Sequence, residues 1–204
     1  TLVRGNIDEI YLGKYDAEYL ELVGSTEAEA EQAYLDGLEV EAEFFANYWG
    51  IVDSSLGESY ADLDETLQAD IITLYKDIYS HSKYEVKQAV RQEDGSYTVQ
   101  VLVDPIDVMQ KASDLYDNDG YEPLNAFWTK MNQMDPASVT DTVYAELTNE
   151  YGSIIVQMVR EQLDSLGYLE QKSLSIQVQE DSDGYLSINQ DDWGIFDSYV
   201  IAYP

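Results

Sequence analysis

Apolar positions along this chain recur first with a helical period, then with a strand period, and then go through that order a second time. Val3, Ile7, Ile10 and Tyr11 share one face of a short helix, and Gly13-Lys14-Tyr15 breaks it. Asp16 is placed to cap a second short helix that stops near Gly24. Thr26 and Glu29 have capping-box spacing and open a long helix to about Trp49, with Leu35, Leu38, Ala42, Phe45 and Trp49 as its apolar stripe. Residues 51–63 are polar and poorly periodic, which predicts a loop. A further helix is predicted from about Asp64 to Ser82. Its stripe of Leu67, Ile71, Leu74 and Ile78 is widened by Ile72, Tyr75 and Tyr79, so it is covered on more than one side.

The period changes after Ser82. Tyr84 and Val86, then Tyr97, Val99, Val101 and Val103, alternate around Glu93-Asp94-Gly95-Ser96. Asp-Gly between alternating runs predicts a hairpin, because glycine readily takes positive φ. Asp104-Pro105 reads as an N-cap followed by proline at the first helical position, with that helix fading near Asp117-Asn118-Asp119-Gly120. A helix over 121–133 ends at Asp135-Pro136. The longest helix follows, over about 139–166, with Val143, Leu147, Tyr151, Ile154, Met158 and Leu166 inward. Leu174, Ile176 and Val178 alternate before Asp183-Gly184, and Leu186 and Ile188 after it, which predicts a second hairpin. Trp193, Phe196, Val200 and Tyr203 predict a closing helix.

The expected fold class is α+β, in helix–hairpin, helix–hairpin order. A lone hairpin is marginal, so the two are expected to join into a four-stranded antiparallel sheet packed by several long helices. The expectation is one domain over 1–204, with a helical part at 1–82 and a sheet-containing part at 83–204. Lys83, Asp94 and Gly95 repeat as Lys172, Asp183 and Gly184 at a constant offset, a thin sign of duplication.

Composition narrows the function classes. The 204 residues carry 41 acids and 10 bases, for a net charge of −31. The acidity is even, at −16 over residues 1–82 and −15 over 83–204. Apolar residues make up 45%, too many for a disordered acidic tail. Nucleic acids and anionic lipid surfaces need clustered cations to displace counterions. The bases here are scattered, so no nucleic-acid partner is expected. The lack of Cys excludes disulfides, thiol nucleophiles and Cys-ligated metals. No run of about 18 apolar residues is present to span a bilayer. The chain starts at Thr1, which is read as a processed or trimmed terminus.

Candidate chemistry is sparse. His81, the single histidine, reads as a general base or, more simply, as a helix C-terminal cap; no Gly-x-Ser-x-Gly elbow accompanies it. Glu27, Glu29, Glu31 and Glu39, Glu41, Glu43 are two apart, so on a helix they diverge and read as solvated faces. Asp117–Gly120 and Asp181–Gly184 fail the EF-hand pattern at positions one and twelve, and turn chemistry explains them better. The 18 tyrosines could present ring faces to sugars; Tyr34, Tyr75, Tyr79 and Tyr151 fall on apolar stripes and read as core or rim. Trp49, Trp128 and Trp193 also read as core. Phosphate-loop, zinc-protease and kinase motifs are absent. No catalytic, cofactor-binding or metal-ligating residue is assigned, and no cofactor is expected.

Three stretches carry a resemblance: Val3-Arg4-Gly5-Asn6-Ile7-Asp8-Glu9-Ile10-Tyr11-Leu12-Gly13-Lys14-Tyr15-Asp16, Tyr79-Ser80-His81-Ser82-Lys83-Tyr84-Glu85-Val86, and Val101-Leu102-Val103-Asp104-Pro105-Ile106-Asp107-Val108. With the hairpins, the chain resembles small extracytoplasmic lipoproteins of Gram-positive gut bacteria. The resemblance implies a lipobox Cys upstream of Thr1 and a lipid anchor on the outer face of the cell membrane, the one expected membrane contact. The expected function is a non-enzymatic cell-surface module, monomeric, that binds or organises an extracellular ligand. The alternative is a secreted carboxylate-dependent hydrolase of glycans or peptides. A third fit to this composition is a cytoplasm of high salt.

Overall fold

The computed structural model describes residues 1–180 and 184–204. Among them are eight α-helices and a five-stranded antiparallel sheet, the expected α+β class. The helices are α1 (Leu2–Leu12), α2 (Ala17–Val23), α3 (Glu27–Tyr48), α4 (Glu65–Ser80), α5 (Val108–Asp117), α6 (Glu122–Gln133), α7 (Asp141–Gln162) and α8 (Gln190–Val200). The strands are β1 (Lys83–Val86), β2 (Val90–Arg91), β3 (Tyr97–Asp104), β4 (Lys172–Glu180) and β5 (Leu186–Ile188). No described helix is long and apolar enough to cross a membrane.

The local signals act as their chemistry demands. Asp16 Oδ1 accepts from the amide of Tyr19 at 2.8 Å and starts α2. Thr26 and Glu29 form the reciprocal capping box, at 3.3 and 2.8 Å. Gly13 ends α1 in the left-handed region at φ 57. In the first hairpin turn Gly95 takes φ 90, and Asp94 accepts from the amide of Ser96 at 3.0 Å. Of the second turn, Asp181, Ser182 and Asp183 lie outside the described residues.

The chain divides into two compact units, each assembled from separated segments. The sheet unit comprises 1–37, 78–107 and 167–203. Its strand order is β1-β3-β4-β5, so the two hairpins join through β3 and β4, with Val99 opposite Ile176 and Tyr97 opposite Val178. The fifth strand, β2, arises from a bulge. Val86 faces Val101, but Val90 faces Thr98, so residues 87–89 span two residues of β3. The extra residue moves Val90 to the outer face, where it is 60% exposed. Helix α8 packs on β4 and β3. Around Tyr11 the rings of Tyr79, Trp193 and Phe196 gather at 5.0, 6.3 and 5.9 Å, and the Tyr11 hydroxyl donates to Asp197 at 2.5 Å.

The helical unit comprises 38–77, 108–166 and Pro204. Helix α7 is packed by α5 and α6. At Gly152 its backbone comes so near α4 that an added Cβ would stand 2.6 Å from Leu67 Cδ2. The inward side of α7 is broader than its stripe predicts: Ile155, Val156 and Val159 are buried beside Leu147, Tyr151 and Met158. The loop predicted over 51–63 holds two short 3-10 turns, and Ile51, Val52 and Leu63 from it enter the core.

Two expectations are corrected. Pro105 does not start a helix, because α5 begins at Val108. Ile106 is drawn into bridges with Tyr168 and Ile201, and Asp107 Oδ1 accepts from the Gly167 amide at 2.8 Å. These tertiary bonds outweigh the local capping preference. Trp128 is not core; it is 42% exposed, since its neighbour Phe127 takes the inward position of α6. Trp49 is buried as expected and Trp193 is half-buried.

Buried phenols set an alkaline limit. Burial, ahead of the nearby carboxylates, pushes Tyr19, Tyr60 and Tyr121 up to about 12. It raises Tyr84 and Tyr151 as well, again ahead of their hydrogen-bond partners. Each favours its neutral form in the folded chain. The stability it contributes is full below the unfolded value of 10.0 and is lost as pH rises towards the folded one. Each such tyrosine steepens the loss by about 1.4 kcal/mol per pH unit in that window. Urea unfolding is expected to give a constant midpoint between about pH 7 and 9 and a steep fall above about pH 10. A midpoint unchanged through pH 11 would contradict the burial of these hydroxyls.

Candidate functional site

The helical unit holds an aromatic groove of about 360 Å³. Its geometry begins at the end of α3. Gly50 turns left-handed at φ 65, and the amides of Ile51 and Val52 both reach back to the Ala46 carbonyl, at 2.8 and 3.2 Å. The turn leaves Trp49 at a corner with its carbonyl available. Tyr151 of α7 donates to that carbonyl at 2.8 Å and pins α7 to the end of α3. The hydroxyls of Tyr151 and Tyr116 stand 3.4 Å apart.

The walls are ring faces. Trp49 lies 5.7 Å from Tyr116, and Trp128 lies 5.5 Å from Tyr151 and 5.2 Å from Phe127. Trp128 and Tyr144 keep much of their surface in solvent, at 42% and 51%. Solvent exposure of two such large rings beside one groove is a feature that needs a reason, because aromatic burial is among the largest gains in folding.

The rim comes from the segment between α3 and α4. Glu58 spans it: one oxygen accepts from the Tyr144 hydroxyl at 2.6 Å, the other from the Asp53 amide at 2.8 Å. Asp53 in turn accepts from the Ser55 amide and hydroxyl, which holds its carboxyl below the usual carboxylate range. The bond to Glu58, followed by burial, raises the Tyr144 phenol, so it stays a neutral donor. Asp53 and Glu58 line the groove, and no lysine or arginine does. Aromatic faces carry the negative end of the ring quadrupole, and the carboxylates add to it, so the groove presents negative potential. The indole N–H of Trp49 is buried and has no hydrogen-bond partner among the described residues.

The residues singled out by sequence stand elsewhere. His81 is exposed just past α4 in the sheet unit, where its carbonyl accepts from the Tyr168 hydroxyl at 2.8 Å. The glutamates of α3 diverge, with Glu27, Glu29, Glu31, Glu39 and Glu43 exposed and Glu41 half-buried. Asp117–Gly120 forms the end of α5, where the Gly120 amide donates to the Leu115 carbonyl at 2.8 Å and Asp119 takes φ 51. Of the tyrosines placed on stripes, Tyr75, Tyr79 and Tyr151 are buried and Tyr34 is half-buried. Sequence reasoning missed the 53–58 rim, whose polar composition reads as an ordinary loop. The available signal was Trp128 directly beside Phe127, since a helix with a single narrow apolar face buries only one of two adjacent large rings fully.

No protein-family model and no curated protein matches this chain. Among solved structures it is similar to the crystal structure of a "putative lipoprotein" (ycdA) from Bacillus subtilis, with 17% identity and a TM-score of 0.60 over 98% of this chain. The match takes in 54% of the Bacillus protein, so this chain spans about half of its length. At that identity the likeness is one of fold.

Proposed function

We propose that this chain is a non-enzymatic binding module, held on the outer face of the cell membrane by an N-terminal lipid anchor, whose aromatic groove receives an organic ammonium cation. The observation that carries the ligand class is the lining itself: ring faces from Trp49, Tyr116, Trp128 and Tyr144 beside two carboxylates, with no base among them. A cation over an aromatic face gains roughly 0.5–2 kcal/mol, more as water is excluded. The net charge of −31 concentrates cations around the chain and steers them inward. The location is supported by the resemblance to extracytoplasmic lipoproteins of Gram-positive gut bacteria and by the fold shared with a Bacillus protein described as a "putative lipoprotein". The same reading has the module monomeric and without affinity for nucleic acid, because its net charge of −31 repels like copies and polyanions.

Choline and its uncharged carbon isostere, 3,3-dimethylbutan-1-ol, separate charge from shape. Titrated against tryptophan fluorescence, choline is expected to saturate and the alcohol not to. Trp128→Ala is expected to weaken choline about fivefold or more, and Glu58→Gln to weaken it in the same direction. Equal response to both compounds, or choline binding untouched by Trp128→Ala, would overturn the reading.

A further inference from the structure

The sheet unit carries a second cavity of about 490 Å³ with the opposite electrostatics. Its floor is one face of the sheet. Tyr97 and Val99 alternate onto the same side of β3, Val178 faces Tyr97 across β4, and Leu186 faces Glu180 from β5. Helix α8 packs on β4 and β3, yet this end of the face remains open as the slot. The bulge of β1 into β2 supplies one wall, through Lys87, Gln88 and Ala89. The first turn of α1 and Leu22 of α2 supply the other.

The charge of this slot runs against the whole chain. Acids outnumber bases by 41 to 10, yet among the described residues the lining includes Arg4 and Lys87 and no Asp or Glu. Arg4 is exposed and makes no ion pair among the described residues. Lys87 shares its charge with Glu85 at 2.6 Å, which leaves Arg4 as the principal cation. The first turn of α1 carries no acid and Thr1 makes no side-chain cap there; the Thr1 hydroxyl instead donates to Glu18 at 3.0 Å, which sets one carboxylate beside the positive end of the helix. The apolar part of the lining is aliphatic apart from Tyr97, which suits a flexible chain rather than a flat ring.

We propose that this slot binds a single-chain aliphatic carboxylate, its alkyl chain along Val99, Val178 and Leu186 and its carboxylate at Arg4 and Lys87. The alkyl chain lies over Val99 and Val178, themselves buried, and takes its contact from the more open Leu22, Val86 and Leu186. The head group meets the two basic residues of the lining. This site is independent of the ammonium reading, since it lies in the other unit and takes the opposite charge.

Calorimetry on the whole chain with octanoate, decanoate and dodecanoate, all as monomers, tests it. Affinity is expected to rise about fourfold per methylene, the gain for burying one CH₂. Dodecanoate is expected to bind more tightly than dodecanol. Arg4→Ala, at an exposed position, is expected to weaken dodecanoate by about fivefold, the upper end for an exposed charge pair, and to leave dodecanol unchanged. Leu186→Trp fills the slot and is expected to abolish binding; if it fails to fold, the head-group and Arg4 comparisons still decide. Affinity independent of chain length, or dodecanol binding as tightly as dodecanoate, would overturn the proposal. So would retention on phosphatidylglycerol vesicles without binding of the monomers, which would assign the face to a bilayer.

Discussion

Gly5→Ala is expected to destabilise the chain by about 2–3 kcal/mol, although alanine is the better helix former by about 1 kcal/mol. Gly5 lies inside α1, and a Cβ there would stand 2.1 Å from Cδ2, 2.3 Å from Cγ and 2.8 Å from Cβ of Tyr19. A ring tip can swing aside, but these atoms sit at the root of the side chain, so α2 itself has to shift. Tyr19 is 2% exposed, which leaves its ring no other place to go. For a chain of this size the melting temperature is expected to fall by about 4–12 °C. Gly37→Ala is the internal control. It is also helical, a Cβ there meets nothing within 4 Å, and it is expected to stabilise by up to about 1 kcal/mol. Should both variants gain stability, the close contact of α1 with α2 would be refuted. That contact also sets the distance between the first turn of α1 and Leu22, the two helical walls of the apolar slot.

Phe45→Ala is expected to cost about 3–5 kcal/mol, the largest effect of a single truncation proposed for this chain. Phe45 is fully buried in the helical unit, edge-on to Tyr75 at 6.0 Å and 6.2 Å from Trp49. Its loss removes apolar area and leaves a cavity that rigid helices fill only in part. Trp49 also loses the ring behind it, so choline binding at the groove is expected to weaken along with stability. Phe44 is the comparison, one residue away and 49% exposed. Phe44→Ala is expected to change stability by less than about 1 kcal/mol. Denaturant midpoints of the two variants check this, and similar values would mean that α3 is rotated from the orientation described.

The contrast between these neighbours was legible before any coordinates. Leu38, Ala42, Phe45 and Trp49 follow the helical period and are buried, while Phe44 falls off the stripe. The capping box at Thr26 and Glu29 and the turn at Asp94-Gly95 were equally readable, because each depends on atoms within a few residues. The same reasoning failed at Pro105. There the Asp-Pro signal is genuine, but Ile106 is claimed by Tyr168 and Ile201, distant in the chain. It failed again at Trp128, where two adjacent aromatic residues compete for one inward position.

The candidate sites were the least legible part. The groove depends on Tyr151 reaching the Trp49 carbonyl and Tyr144 reaching Glu58, bonds across 102 and 86 positions of chain. The slot depends on a one-residue bulge that no periodicity marks. The scattered appearance of Arg4 and Lys87 in the sequence concealed that folding brings both to one cavity.

Helices, turns and the α+β class follow from short-range chemistry: side-chain periodicity, caps, and the backbone freedom of glycine at reversals. These forces act between neighbours, so the order of residues alone determines them. The register that joins the hairpins through β3 and β4, the bulge, the exposure of Trp128 and the opposite charges of the two cavities were decided only by tertiary structure. They depend on which distant surfaces compete for the same burial, and that competition is settled only when the chain has closed on itself.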